Sequence, residues 1–406
     1  MAELVLPGGD LEKLYTAVLF GADAVYLGGK EFSLRAYAAN FDPGTMAEGV
    51  SWLHKNNKKA YITVNILAHN QDFARLPAYL EKLQELKVDA LIISDLGVFR
   101  SARKYAPAIP ITVSTQANVC NYEAAALYEE LGARRVVLAR ELSLDEIAHI
   151  CYKTQLEVEV FIHGAMCSSY SGRCMLSSFM TGRSANQGEC AYPCRYRYRV
   201  MEEQRPGQWF SVTEDERGTY IFNSRDLCLL DNIPDLLAAG VKALKVEGRM
   251  KSPLYVACTA KVYRDALDCL KLEGIEEFIN RKDLWQQELD RIASRPYTSG
   301  FISGQDTYMQ DLKNSPPMSR TDFCGTVTAF NQEQKILYIR QRSPFGLNDD
   351  LELFTPSALL PITISELYDE TGTPIEYARH PLQTVRIPYP FPVPEYSVLR
   401  RRAAFV

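Results

Sequence analysis

Phe20-Gly21-Ala22-Asp23-Ala24-Val25-Tyr26-Leu27-Gly28 decides the fold. A glycine closes an amphipathic run, and a β-rich apolar run starts three residues later. Glycine at that place accepts the left-handed backbone that stops a helix. The same arrangement returns at Leu131-Gly132-Ala133-Arg134-Arg135. Working outward, short apolar runs occupy Leu4–Pro7, Ala24–Gly28, Ala60–Asn65, Ala90–Asp95, Ile111–Gln116, Arg135–Arg140, Glu157–His163 and Ala243–Glu247. Helical patterns lie between them, as in Asp10–Phe20, Pro77–Leu86, Asn121–Leu131 and Ser143–Cys151. Strand–helix units in such a series predict an α/β chain folded as a (β/α)8 TIM-like barrel. No glycine-rich dinucleotide loop follows the first strand, which argues against an open doubly wound sheet.

The expected barrel spans residues 1–314, with a Cys-rich insertion at about 164–242 between strands 7 and 8. Helical patterns continue through Cys258–Leu270 and Lys282–Ala293, and Ser315-Pro-Pro-Met-Ser319 reads as a linker. Short strands at Gly325–Phe330, Ile336–Arg342, Leu351–Phe354, Thr363–Tyr368 and Gln383–Ile387 predict a small C-terminal β-barrel domain over 315–406. The 406 residues are 47% hydrophobic and 23% charged, a balance that excludes a disordered chain, a collagen and a coiled-coil rod. Lys+Arg 45 against Asp+Glu 50 gives a net charge of −5, so bulk charge does not wrap nucleic acid, although a local basic patch can still bind RNA. No apolar run is long enough for a membrane span. Met1-Ala-Glu-Leu-Val-Leu-Pro-Gly-Gly enters a strand at once, so no signal peptide is expected. The expected compartment is the cytoplasm, where thiols stay reduced.

Most strands end in a polar residue: Asn65, Asp95, Gln116, Arg140, His163 and Glu247. In a barrel these tips line the active-site mouth. Alternation sharpens the pattern on the last two strands. Val158, Val160 and Ile162 share one face, leaving Glu157, Glu159, Phe161 and His163 to point inward. Leu244 and Val246 point outward and leave Lys245 and Glu247 inside. Buried charge is costly unless paired, so Glu159 and Lys245 are expected to pair. That pair serves either structure or substrate binding and proton transfer. Arg140 and Arg249 are suited to hold a carboxylate or phosphate by two-pronged contacts.

Of ten cysteines, Cys120, Cys151, Cys228, Cys258, Cys269 and Cys324 are scattered and read as small buried hydrophobes. Cys167, Cys174, Cys190 and Cys194 form a Cys-x6-Cys-x15-Cys-x3-Cys cluster directly after His163. Four thiolates suit either a tetrahedral zinc or an iron–sulfur cube. Zinc favours pairs of short hooks, and only one pair here is short, which tilts the reading toward iron–sulfur with zinc still open. Arg197 stands where a radical S-adenosylmethionine loop would carry its third cysteine, so that chemistry is disfavoured. Arg195, Arg197 and Arg199 alternate with tyrosines, a strip suited to phosphates and stacked bases or to one strand of a hairpin returning through Thr219–Asn223. No His-Glu-x-x-His helix, Gly-x-Ser-x-Gly elbow or Gly-Lys-Ser/Thr phosphate loop is present.

His163-Gly-Ala-Met-Cys167, Tyr170-Ser-Gly-Arg-Cys174-Met-Leu-Ser177, Asn186-Gln-Gly-x-Cys190-x3-Cys194-Arg195, Asn223-Ser-Arg-Asp226-Leu and Leu244-Lys-Val-Glu-Gly-Arg249 carry a resemblance. Together with Pro7-Gly-Gly-Asp and Gly21-Ala-Asp-Ala-Val-Tyr, they resemble the collagenase-like peptidase family U32 over nearly the whole chain. The resemblance implies an iron–sulfur protein despite the peptidase name. Members hydroxylate RNA bases or the ring of ubiquinone precursors without molecular oxygen. The chain is most similar to the branch that makes 5-hydroxyuridine at the wobble position of tRNA and requires prephenate. By that resemblance Cys167, Cys174, Cys190 and Cys194 hold a [4Fe–4S] cluster, and Cys228 is structural. Arg140 and Arg249 become candidates for the carboxylates of prephenate, with Asn65, Gln116 and Glu159 also at the substrate. His163, Lys245 and Glu247 are candidates for proton handling, and Arg195, Arg197, Arg199 and the tail domain for tRNA. A paralogous protein partner recurs in the family. The alternatives are a peptidase with structural zinc, a hydroxylase of another RNA base or a ubiquinone precursor, and a non-catalytic RNA-binding scaffold.

Overall fold

The computed structural model describes residues 2–34, 39–167, 169–193, 200–201, 209–210, 213–215, 218–220, 225–304 and 321–402. Eight parallel strands pair in chain order: β1 (Glu3–Pro7), β2 (Ala24–Gly28), β3 (Lys59–Val64), β4 (Ala90–Ile93), β5 (Ile111–Val113), β6 (Arg135–Val137), β7 (Glu157–Ala165) and β8 (Ala243–Val246). Pairing of β8 with both β7 and β1 closes the barrel, with Leu4 opposite Leu244. The surrounding helices are α1 (Leu11–Leu19), α2 (Pro43–Lys55), α3 (Leu76–Glu85), α4 (Leu96–Tyr105), α5 (Tyr122–Glu130) and α6 (Leu144–Lys153), then α7 (Leu176–Thr181), α8 (Ile233–Ala238), α9 (Pro253–Leu272) and α10 (Ile275–Ile292). Asp10, Asp42, Asp95, Asn121, Ser143 and Ser252 each cap a helix, their side chains accepting the amides of Lys13, Thr45, Val98, Ala124, Glu146 and Tyr255. A short polar side chain at that place satisfies an otherwise orphaned donor and fixes where the strand tip ends.

Strand alternation divides the core. Val25, Leu27, Leu4, Leu6 and Ile62 belong to the large cluster between strands and helices. Val5, Ala24, Tyr26, Tyr61 and Ile92 form a smaller cluster inside the barrel. Beside that inner cluster runs a chain of buried charge. The Arg135 guanidinium lies 2.7 Å from Glu3, 2.7 Å from Glu157 and 3.0 Å from Glu159. The Lys245 ammonium lies 2.7 Å from the other oxygen of Glu159, and the Tyr61 hydroxyl donates to Glu3 at 2.7 Å. The expected Glu159–Lys245 pair is therefore one link of a longer network.

Between β7 and β8 the strand Asp226–Cys228 pairs antiparallel with the end of β7, and Tyr297–Thr298 pairs beside it. Val200–Met201 pairs with Trp209–Phe210, and Thr213–Asp215 with Gly218–Tyr220. Thr219 and Tyr220 thus return to Thr213–Asp215, whereas Arg195, Arg197 and Arg199 lie outside the described residues. The expected linker Ser315–Ser319 also lies outside them.

The C-terminal strands form a six-stranded antiparallel sheet curled as a half-barrel, in the order Leu359–Thr363, Asp350–Phe354, Val398–Arg402, Thr321–Asn331, Ile336–Gln341 and Thr384–Pro388. The strand expected at Thr363–Tyr368 lies earlier, running through Leu359–Thr363 and ending where it was expected to begin. This sheet is docked on the barrel helices. Arg400, fully buried, pairs with Glu288 of α10 and lies 3.1 Å from Glu352. Glu12 of α1 accepts the Thr326 hydroxyl at 2.6 Å and pairs with Arg342. Phe20 stacks on Phe354 with ring centroids 5.2 Å apart, and Tyr15 meets Tyr396 at 4.8 Å.

One expectation on β7 fails for a geometric reason. Lys245 lies opposite Phe161, but Val246 lies opposite His163, so β7 carries one extra residue there. Such a bulge reverses which face the following side chains take. His163 consequently faces the helix layer with Val246. Its Nδ1 sits 3.1 Å from the Tyr263 hydroxyl, and its ring packs among Tyr255, Tyr263 and Tyr297. Its assignment to proton handling in the mouth is withdrawn. Burial, and secondarily the nearby Lys251 charge, push its pKa down to about 3, so it stays neutral.

Two outcomes are expected. Arg135→Met removes the buried cation shared by Glu3, Glu157 and Glu159 and lowers unfolding free energy by about 3–5 kcal/mol, whereas Arg281→Met on the surface of α10 changes it far less; urea titration measures both. His163 has a folded pKa below its unfolded one, so its contribution is complete above about pH 6.5 and is lost as pH falls toward 3. Below about pH 6 the wild type therefore loses up to about 1.4 kcal/mol more stability per pH unit than His163→Gln, and equal slopes in urea titrations at stepped pH contradict its burial as the neutral ring.

Candidate active site

The strand tips enclose a cavity of about 490 Å³ at the C-terminal end of the barrel. The strand tips Asn65, Gln116, Arg140 and Glu247 line it with Lys245 and Arg249, so six of the residues singled out from the sequence meet in one place, while the tip Asp95 caps α4 instead. Glu159 lies just below, joined to the cavity through Lys245. His163 does not line it.

Each cation has a built seat. Arg249 donates to the Ser33 hydroxyl at 2.7 Å and to Thr63 at 3.2 Å, and also bonds Asn40. Its guanidinium lies against Gly28, where an added Cβ would stand 2.0 Å from Nη2; only glycine leaves that space. Arg140 donates to the Ala165 carbonyl at 2.5 Å, and its guanidinium carbon lies 3.9 Å from the Phe161 ring centroid. The Lys245 ammonium lies 4.7 Å from the centre of the Tyr26 ring. Burial lowers its pKa while Glu159 opposes that shift. Asn65 donates to Gln116 at 3.3 Å, and Gln116 also accepts from Ser114. Three cations thus line a polar chamber together with the Glu247 carboxylate, and Glu159 pairs with Lys245 from below. Arginine forks of this kind suit a carboxylate or phosphate.

Above the chamber lies a second cleft of about 900 Å³. Cys167, Cys174 and Cys190 line it, and Leu34, Thr115, Gln116 and Arg140 border both spaces. Cys194, the fourth cysteine of the cluster, lies outside the described residues. Among the described residues no three His, Cys, Asp or Glu side chains are gathered to hold one metal ion. Four thiolates around one zinc must all lie about 2.3 Å from a single point, whereas the corners of an iron–sulfur cube are spread apart. Three thiols lining one cleft are the ligand type that either group takes. Of the scattered cysteines, Cys258, Cys269 and Cys324 are buried as expected; Cys120, Cys151 and Cys228 are only partly so.

Sequence reasoning missed the side chains that seat the cysteine-bearing segment. Arg173 donates to the Gln116 carbonyl at 2.8 Å, and Asn118 to the Tyr170 carbonyl at 3.1 Å. Asn186 accepts the Cys174 amide at 3.1 Å and, through its carbonyl, the Leu67 amide at 3.0 Å. Glu141, next to Arg140, accepts from Ser171. Its place on a strand tip was the available signal.

Comparison with known proteins adds identity to this geometry. The chain is 38% identical over 386 residues to a Bacillus subtilis protein named tRNA hydroxylation protein P1, covering 95% of this chain and 91% of that one. It is 36% identical over 268 residues to an Escherichia coli protein named as a 23S rRNA 5-hydroxycytidine synthase, covering 66% of this chain and 39% of that one. It is 31% identical over 317 residues to a Porphyromonas gingivalis protein named collagenase, covering 75% and 74%. The model of Peptidase family U32 matches residues 9–311, and that of the family's C-terminal domain matches 319–400. On that match over most of its length, with the barrel and cysteine cleft beneath it, the chain belongs to peptidase family U32.

Proposed function

We propose that this protein hydroxylates tRNA, converting the wobble uridine to 5-hydroxyuridine without molecular oxygen, with a [4Fe–4S] cluster and prephenate as co-substrate. The observation that carries the reading is the adjacency of two spaces: a thiol-lined cleft above and a cationic chamber below, with Arg140 and Gln116 in both walls. The names of relatives that match nearly the whole chain support RNA hydroxylation over proteolysis.

Cys167, Cys174, Cys190 and Cys194 would hold the cluster, which supplies one-electron chemistry at the cleft when bound. Arg140 and Arg249, both in the chamber wall, bind the two carboxylates of the co-substrate. Their guanidinium planes are fixed by Phe161 and Gly28, so little ordering remains to be done on binding. Asn65 and Gln116 offer amide groups to a base or hydroxyl edge. Glu247 is the carboxylate of this wall that can accept or return a proton. Lys245 faces it with its charge held by Glu159, and the low dielectric of the chamber strengthens both contacts. The arginine strip Arg195, Arg197 and Arg199 would contact the RNA backbone.

The test is nucleoside mass spectrometry of tRNA from a deletion strain complemented with variants. Wild type restores 5-hydroxyuridine; Cys190→Ser and Arg249→Ala restore at least about a hundredfold less, the scale of removing one preorganised charged contact. Anaerobically purified protein carries iron and sulfide. Zinc without iron, or full modification by Cys190→Ser, overturns the reading.

A further inference from the structure

We infer that Glu141 is a positioning residue that sets the shape of the cysteine-bearing loop before any metal binds. Ser171, between Cys167 and Cys174, has φ 40° and ψ 37° and is 5% exposed. That left-handed backbone is unfavourable for a residue with a Cβ, so something must hold it. Glu141 does so with both carboxylate oxygens. One accepts the Ser171 amide at 2.6 Å, and the other accepts the Ser171 hydroxyl at 2.5 Å. Hydrogen bonds to an ionised carboxylate are the strong ones.

The anchor itself is rigid. Glu141 follows Arg140 directly, and Arg140 bonds the Ala165 carbonyl two residues before Cys167. Two successive side chains from the tip of the sixth strand therefore grip the loop on either side of its first cysteine. Asn118 and Arg173 add bonds to the neighbouring turn. Glu141 and Ser171 line the same cleft as Cys167, Cys174 and Cys190. The thiols are thus presented by the barrel, and a metal centre binds a site whose ordering cost is largely met beforehand.

This inference rests on the iron–sulfur reading only for its second readout. The first is hydrogen exchange of the Ser171 amide in the metal-free full chain. Glu141→Ala is expected to raise that exchange by about tenfold or more, since a charged acceptor is removed from a buried donor. Glu141→Gln can still accept the amide and donate to the hydroxyl, and falls between. Ser171→Gly keeps the backbone bond and relieves the left-handed strain, so it retains wild-type order. The second readout is the rate at which a chelator removes iron from anaerobically loaded protein. It rises for Glu141→Ala and stays low for Ser171→Gly, with unfolding midpoints matched. Unchanged Ser171 exchange in both Glu141 variants overturns the inference. A wild type that binds no iron overturns the cluster reading instead, and the exchange comparison still decides the role of Glu141.

Discussion

A single carboxylate shared between two cations, Glu159 between Lys245 and Arg135, is the contact on which the site depends. It stands where a TIM-like barrel ordinarily packs branched aliphatic side chains. Here an inner cluster that includes Val5, Ala24, Tyr26, Tyr61 and Ile92 shares the barrel interior with the ionic chain. Charges so buried are tolerated only when every partner is in place. The chain therefore fixes Lys245 from beneath and presents one face of its ammonium to the chamber. Without this floor the chamber would lose its bottom and the seat of Lys245.

The chamber and the thiol cleft come from different parts of the chain. Strand tips supply the first, and the insertion after the seventh strand supplies the second. Arg140 joins them, since it stacks on Phe161 inside and bonds Ala165 at the root of the insertion. A side chain that belongs to both walls ties occupancy of one space to the shape of the other. Among the described residues of the insertion, α7 is only six residues long.

Much of this was legible in the sequence. Glycine stops and polar caps marked the barrel strands, and alternation on β7 and β8 placed Glu159 and Lys245 together. Alternation misled at His163, because an extra residue in one strand leaves no mark in a pattern read two by two. Arg135 escaped notice since an arginine opening a short strand resembles a solvent-facing end; only closure brings Glu3 and Glu157 around it. Val398-Leu-Arg-Arg-Arg402 escaped for a similar reason. Three successive arginines suggest a solvated tail, yet Arg400 is enclosed by Glu288 and Glu352 from other elements. Glu141 and Ser171 are a tertiary match with no periodic signature. What sequence periodicity conveys is which face a residue takes, not which distant partner awaits it.

The docking of the C-terminal sheet has a practical corollary. Phe354 and Val398 belong to the same apolar cluster as the barrel helices, and Arg400 neutralises a glutamate of α10. A barrel severed from that sheet would expose Phe20 and Tyr15 to water and leave Glu288 without its arginine. The two halves are therefore poor candidates for separate production or for exchange between relatives as interchangeable cassettes, unless the aromatic seam is redesigned along with the cut.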